Sequence, residues 1–183
     1  DHLERFGFSR DRLSTGLSLA LGSASTTPME IARGYAVFAN GGYLIEPYFI
    51  ARIENRDGRI VRYANHTILC PACRPNQSPS VQIGSGIIRD RRYARRAISP
   101  ENAYLMTSLM NEVMTTGTGR KSLSLGRTDL SGKTGTTNNF RDAWFTGFNQ
   151  DITASVWVGF DQPKELGRRE SGSRAALPIW IDY

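Results

Sequence analysis

Ser131-Gly132-Lys133-Thr134-Gly135-Thr136-Thr137-Asn138-Asn139-Phe140-Arg141-Asp142-Ala143-Trp144-Phe145-Thr146-Gly147-Phe148 is the stretch from which the rest of the chain is read. Residues 131–137 carry four hydroxyls, two glycines and one lysine, and no large apolar side chain. That composition predicts an extended segment whose backbone is approached closely by something else, a ligand above all. Alternation along a strand sets Thr134 and Thr136 on one side and Lys133, Gly135 and Thr137 on the other. Two hydroxyls can then hold one anionic group while the lysine stem curls around the edge.

Downstream, residues 143–149 and 152–160 are aromatic and β-branched with Asn149-Gln150-Asp151 between them, so three antiparallel strands in succession are expected. Upstream, Ser99-Pro100-Glu101 opens a helix in which Tyr104, Leu105, Leu109, Met110 and Val113 share a face and Gly117-Thr118-Gly119 marks the end. An earlier helix starts at Thr27-Pro28-Met29-Glu30, with Thr27 as N-cap, Pro28 in the first turn and Glu30 closing a capping box. Gly41-Gly42 stops it, and Ile31, Tyr35, Phe38 and Ala39 form its core-facing stripe. Residues 1–8 read as the end of a helix closed by Gly7, and residues 17–23 as a buried strand or a loop. Between the two main helices, residues 49–54 and 59–63 form a hairpin whose Asp57-Gly58 pair supplies the turn.

Residues 64–97 break this pattern with prolines, glycines and an arginine run, and are expected to be a surface excursion. Both cysteines lie in it, as Cys70-Pro71-Ala72-Cys73, a spacing open to a disulfide, half a zinc site or a redox pair. No second pair completes a four-cysteine site, and neither His2 nor His66 has zinc-finger spacing, so no metal and no cofactor is expected. The 183 residues suit one domain, and an apolar fraction of 39% can supply a core. The net charge of +6 is spread as scattered arginines with no nucleic-acid motif, so nucleic acid is not expected as a partner. No apolar run approaches the roughly 20 residues that span a bilayer.

Lys133-Thr134-Gly135-Thr136-Thr137-Asn138-Asn139, followed by Asp142-Ala143-Trp144-Phe145 and Gly147, resembles the class A (bifunctional) penicillin-binding proteins, particularly the penicillin-binding protein 1A type. Residues 19–42, with Ala-Leu-Gly-Ser, Thr-Pro and Phe-Ala-Asn-Gly-Gly, are similar to the same family, as are the helix and Gly-Thr-Gly before the Lys-Thr-Gly strand. The resemblance covers nearly everything outside residues 64–97. It implies an α+β fold, an antiparallel β-sheet flanked by helices, of the serine β-lactamase and penicillin-binding transpeptidase type, with residues 161–183 supplying a final helix that packs on the sheet. In that family a serine attacks the carbonyl between the two terminal D-alanines of a peptidoglycan stem peptide, expels one D-alanine and leaves an acyl-enzyme, which a neighbouring stem's amine resolves into a cross-link. β-Lactams acylate the same serine.

By that resemblance Lys133 and Thr136 would be catalytic, Lys133 fixing a relay serine and the Thr136 N–H serving as an oxyanion donor. Thr134, Gly135, Thr136 and Thr137 would bind substrate, the Thr134 and Thr136 hydroxyls holding its terminal carboxylate. The family's Ser-x-x-Lys nucleophile and Ser-x-Asn relay occur nowhere in the sequence. Both precede Lys-Thr-Gly in the family, so residues 1–183 are expected to be the downstream part of a transpeptidase domain, inactive alone, with the upstream part as its first partner. The intact family member also polymerises glycan and sits on the periplasmic side of the bacterial inner membrane, on an anchor outside this chain. A D,D-carboxypeptidase, a β-lactamase or a non-catalytic penicillin-binding-like sensor or scaffold module are the other readings.

Overall fold

The computed structural model describes residues 2–64, 66–70, 81–83, 86–88 and 93–183. Helix α1 (Pro28–Ala39) begins as its sequence dictates: Thr27 Oγ1 accepts from the Glu30 N–H at 3.2 Å, and the Glu30 carboxylate accepts from the Thr27 N–H at 2.8 Å. The reciprocal pair satisfies two donors that a helix start leaves without partners. The expected stripe of Ile31, Tyr35, Phe38 and Ala39 is only half-buried; the fully buried residues of the helix are Gly34 and Val37, which lie to one side of it.

The chain then runs through β1 (Tyr43–Leu44), the hairpin β2 (Arg52–Glu54) and β3 (Ile60–Tyr63), a second hairpin β4 (Val81–Ile83) and β5 (Gly86–Ile88), and β6 (Arg95–Arg96). In the β2–β3 turn Asn55 Oδ1 accepts from the Asp57 and Arg59 N–H groups, and Gly58 takes a φ of +75°. Residues 94–97, expected to belong to a surface excursion, are tied into the fold: β6 pairs with β1, and Ala94 and Ala97 are buried. Arg96 is not simply solvated, because its guanidinium stacks over the Tyr43 ring and donates to the Gly41 carbonyl. Cys70 is disulfide-bonded, one of the states its spacing left open, while Cys73 lies outside the described residues.

Helix α2 (Pro100–Thr115) is capped by Ser99, whose Oγ accepts from the Asn102 N–H. Its buried side is Ala103, Met110 and Met114, not the predicted Tyr104, Leu105 and Leu109, which are 74%, 57% and 62% exposed. The helix is apolar on more than one side, and only one side meets the sheet. Strands β7 (Ser131–Thr136), β8 (Ala143–Phe148) and β9 (Thr153–Val158) follow as the expected antiparallel run, in the order β7-β8-β9. Beyond β9 residues 161–171 are not helical; a π-helical turn at Gly172–Ala176 leads into the short helix α3 (Leu177–Asp182), less helix than expected.

The sheet is covered on both faces. On one, Phe145 and the β9 residues Ala154, Val156 and Val158 pack against Ala176, Leu177 and Trp180, and Trp180 Nε1 donates to the Ala154 carbonyl. On the other, Phe148 meets Tyr35 of α1, and Ser131 Oγ donates to the Thr107 carbonyl of α2. A second cluster of Phe6, Val37, Leu44, Ala97, Ile98 and Ala103 ties α1 to α2 and the chain start. Residues 17–21 form a 3-10 turn with Leu17 and Leu21 almost fully exposed, so this run is not a buried strand. No described helix is long and apolar enough to cross a membrane.

Candidate active site

Strand β7 is an edge strand: β8 pairs with one side, and among the described residues nothing pairs with the other. The Thr137 N–H donates inward to the Asp142 carbonyl at 3.1 Å, extending the β7–β8 ladder by one residue. Alternation therefore turns the N–H and C=O groups of Thr134 and Thr136 outward, to the open edge. The register sets Thr134 opposite Phe145 and Thr136 opposite Ala143 on the α3 face, and Lys133 and Gly135 opposite Thr146 and Trp144 on the face of α1 and α2.

Lys133 starts on the α1 and α2 face, and its stem bends around the strand. Nζ donates to the Thr134 carbonyl at 2.9 Å and lies 3.4 Å from Thr134 Oγ1. The positive charge thus stands at the open edge, beside the hydroxyls. Thr136 Oγ1 accepts from the Gly172 N–H at 3.0 Å, which leaves its own proton to donate elsewhere. Gly172 has to be glycine for this contact, since a Cβ there would lie 2.3 Å from the Trp144 carbonyl oxygen and 2.6 Å from that of Gly135. The absence of a side chain at Gly172 lets the π-helical turn lie directly on the strand, while a side chain at Gly135 would meet Trp144 Cβ at 3.1 Å on the opposite face.

Thr137 is used differently. Its Oγ1 accepts from the Asp142 N–H at 2.8 Å and reaches Asp142 Oδ2 at 3.2 Å, while Trp157 Nε1 donates to Asp142 Oδ1 at 2.9 Å. These bonds hold the turn between β7 and β8, where Asn139 and Phe140 take positive φ angles of 59° and 50°. Of the residues singled out in the sequence, Lys133, Thr134, Gly135 and Thr136 therefore meet at one edge, and the Thr137 hydroxyl is engaged in the turn behind it. Sequence reasoning missed Asp142 as a turn clamp and Gly172 as a neighbour of Thr136. The latter contact spans 36 residues and has no local signal.

Ahead of the strand, Arg127 Nε donates to Asp129 Oδ1 at 2.9 Å, and this bond holds the exposed Asp129 carboxyl below its usual range. Asn111 of α2 donates to the Thr128 and Leu130 carbonyls at 2.9 and 2.7 Å, fixing the approach to β7. Among the described residues no three His, Cys, Asp or Glu side chains are grouped to hold a metal ion. The arrangement can bind an anion at two hydroxyls and a cation, and can receive an extended peptide along its open backbone edge. It supplies no activated nucleophile, because no serine has a lysine three positions on.

Residues 2–180 match the family model described as the penicillin binding protein transpeptidase domain. The chain is 47% identical over its whole length to penicillin-binding protein 1A of Pseudomonas aeruginosa, covering 25% of that protein. It is 43% identical to penicillin-binding protein 1A of Neisseria gonorrhoeae, again over the whole chain and 20% of that protein. The crystal structure of penicillin-binding protein 1A from Haemophilus influenzae superposes with a TM-score of 0.83 at 40% identity, over 98% of this chain and 29% of the other. The chain thus spans a quarter or less of the length of these curated relatives.

Proposed function

The chain belongs to the penicillin-binding protein transpeptidase family, and from that premise we propose that residues 1–183 are the downstream part of a serine D,D-transpeptidase domain. The observation that carries the reading is the open edge of β7, with the Lys133 ammonium bent over the Thr134 carbonyl and the Thr136 hydroxyl proton free. A stem peptide ending in D-Ala-D-Ala, or a β-lactam in its place, adds beside this edge as an extra strand. Its terminal carboxylate accepts from the Thr134 and Thr136 hydroxyls. Its scissile carbonyl oxygen meets the outward Thr136 N–H, one of two donors that stabilise the oxyanion as negative charge develops. Gly135 keeps the backbone approachable, and Lys133 holds the relay hydroxyl and adds positive potential.

The serine that attacks, and the base that takes its proton, come from the upstream part of the same domain. The attack forms the acyl ester and releases D-alanine; the amine of a second stem peptide then displaces the serine oxygen, which recovers a proton. The intact protein, by the same reading, polymerises glycan as well and works on the periplasmic side of the bacterial inner membrane, held by an anchor outside this chain. The exposed apolar face of α2, the bare Leu17 and Leu21, and the outer edge of β9, unpaired among the described residues, support further chain packing here. Replacing Lys133 with alanine in the intact protein tests the assignment. Acylation by a labelled penicillin should slow by at least about a hundredfold, the usual cost of losing a relay or oxyanion group. Near-normal acylation in a folded variant refutes it.

A further inference from the structure

The turn Gly117-Thr118-Gly119 brings a third hydroxyl to the strand, one the reading above leaves without a role. Thr118 Oγ1 lies 2.8 Å from Thr134 Oγ1, across the gap between the end of α2 and β7. The turn that carries it is tightly specified. Gly117 N–H donates to the Glu112 carbonyl and Gly119 N–H to the Val113 carbonyl, the latter at 3.0 Å. A Cβ at Gly117 would sit 2.9 Å from the Val113 Cα, and one at Gly119 would sit 2.8 Å from the sulfur of the buried Met114. Neither neighbour can carry a side chain, so the tripeptide presents Thr118 alone.

Counting protons at Thr134 shows what this hydroxyl can do. A threonine oxygen offers one proton and two lone pairs. The Lys133 ammonium, 3.4 Å away, can only donate, and it takes one lone pair. If Thr118 donates as well, both lone pairs are filled and the Thr134 proton must point to a third partner. If Thr118 accepts instead, that proton is consumed and an incoming carboxylate, itself only an acceptor, meets lone pairs. A bound carboxylate selects the first arrangement, because only there does it gain a hydrogen bond.

We infer that Thr118 is a positioning residue of the transpeptidase site: it donates to Thr134 Oγ1 and thereby aims the Thr134 proton at the substrate's carboxylate. The inference rests on the reading of Thr134 as a carboxylate ligand. It assigns Gly117-Thr118-Gly119 a part in substrate selection as well as in ending α2.

The test uses the intact protein with Thr118→Val, which keeps the shape and removes the hydroxyl, and Thr118→Ser, which keeps the hydroxyl. Acylation is followed against concentration for a labelled penicillin and for its carboxylate methyl ester. Thr118→Val should raise the half-saturating concentration of the free acid by about five- to tenfold, the usual scale for the net worth of one hydrogen bond between neutral groups. The loss should fall on that concentration rather than on the limiting rate, leave the ester's value unmoved, and be reversed in Thr118→Ser. Equal losses for acid and ester, no loss, or no recovery with serine would overturn the inference, since a purely structural hydroxyl predicts no discrimination by charge. Should the valine variant fail to fold, Thr118→Ala carries the same comparison. Lys133→Ala, run alongside, separates the two readings: if it is silent the site assignment falls, and if it slows acylation while Thr118→Val is silent only the role of Thr118 falls.

Discussion

Thr134 and Thr136 face the same way on β7, yet the chain uses their oxygens differently. Thr136 accepts from a backbone N–H, a partner that cannot take its proton, whereas Thr134 sits between an ammonium and the Thr118 hydroxyl. Both can still donate to an anion. The double variant Thr134→Val with Thr136→Val should keep the fold, because valine suits a strand, and lose most affinity for carboxylate-bearing β-lactams. Comparing a free acid with its ester in an acylation assay checks this; equal losses for both would mean that the residues act through packing. At this scale the sequence was informative where local rules apply. Alternation alone sets the two threonines together and sends the lysine around the edge, and both hold in the structure. The partners of these residues were not legible, because Thr118, Gly172 and Asp142 reach them through folding rather than through spacing. Thr137 shows the limit of the same rule, since its hydroxyl is drawn into the turn by Asp142.

Helix starts were legible for the same reason that strand faces were: a cap is a local bargain between a side chain and the first free N–H groups. The α1 capping box formed as written, and it makes helix stability depend on pH. The Thr27 backbone N–H, then its hydroxyl, then Arg12 and Arg33, hold the Glu30 carboxyl below its usual range. A carboxyl with a lowered folded value adds stability above its unfolded value, about 4.3, and that contribution fades as pH falls through the lower folded value. Wild type should therefore exceed Glu30→Gln in melting temperature at neutral pH, with the gap closing on acidification below about 4. Thr27→Ala should cost about 1 kcal/mol at neutral pH in urea titration, as lost N-caps do. A gap that widens in acid would contradict the assignment. Helix faces were less legible than helix ends. On α2 apolar side chains point in several directions, and burial goes to Ala103, which joins the cluster of Phe6, Val37 and Ile98, to Met114, which joins that of Leu130, Phe145 and Trp180, and to Met110; Tyr104, Leu105 and Leu109 look away.

At the scale of the whole molecule, the sequence carries the Lys-Thr-Gly strand with one open edge but no serine with a lysine three positions on. The sheet has helices on both faces, the α+β arrangement that the family resemblance implied, yet its outermost strands each keep one side unpaired among the described residues. Large apolar side chains stand in solvent at Leu17, Leu21, Tyr104 and Leu109. A free serine hydroxyl without an adjacent base is a poor nucleophile, so this polypeptide alone should form no covalent adduct with penicillin. It should also unfold at low denaturant, because exposed apolar faces contribute nothing to burial. Mixed with the upstream part of its domain, it should regain both a cooperative unfolding transition and labelling, with the label on the upstream piece. Gel fluorescence after incubation with a labelled penicillin, then mass mapping of the adduct, reads the outcome directly. A stoichiometric adduct on any serine among residues 1–183 in isolation would mean that the nucleophile lies within this chain, and that the edge of β7 serves a chemistry other than the one proposed.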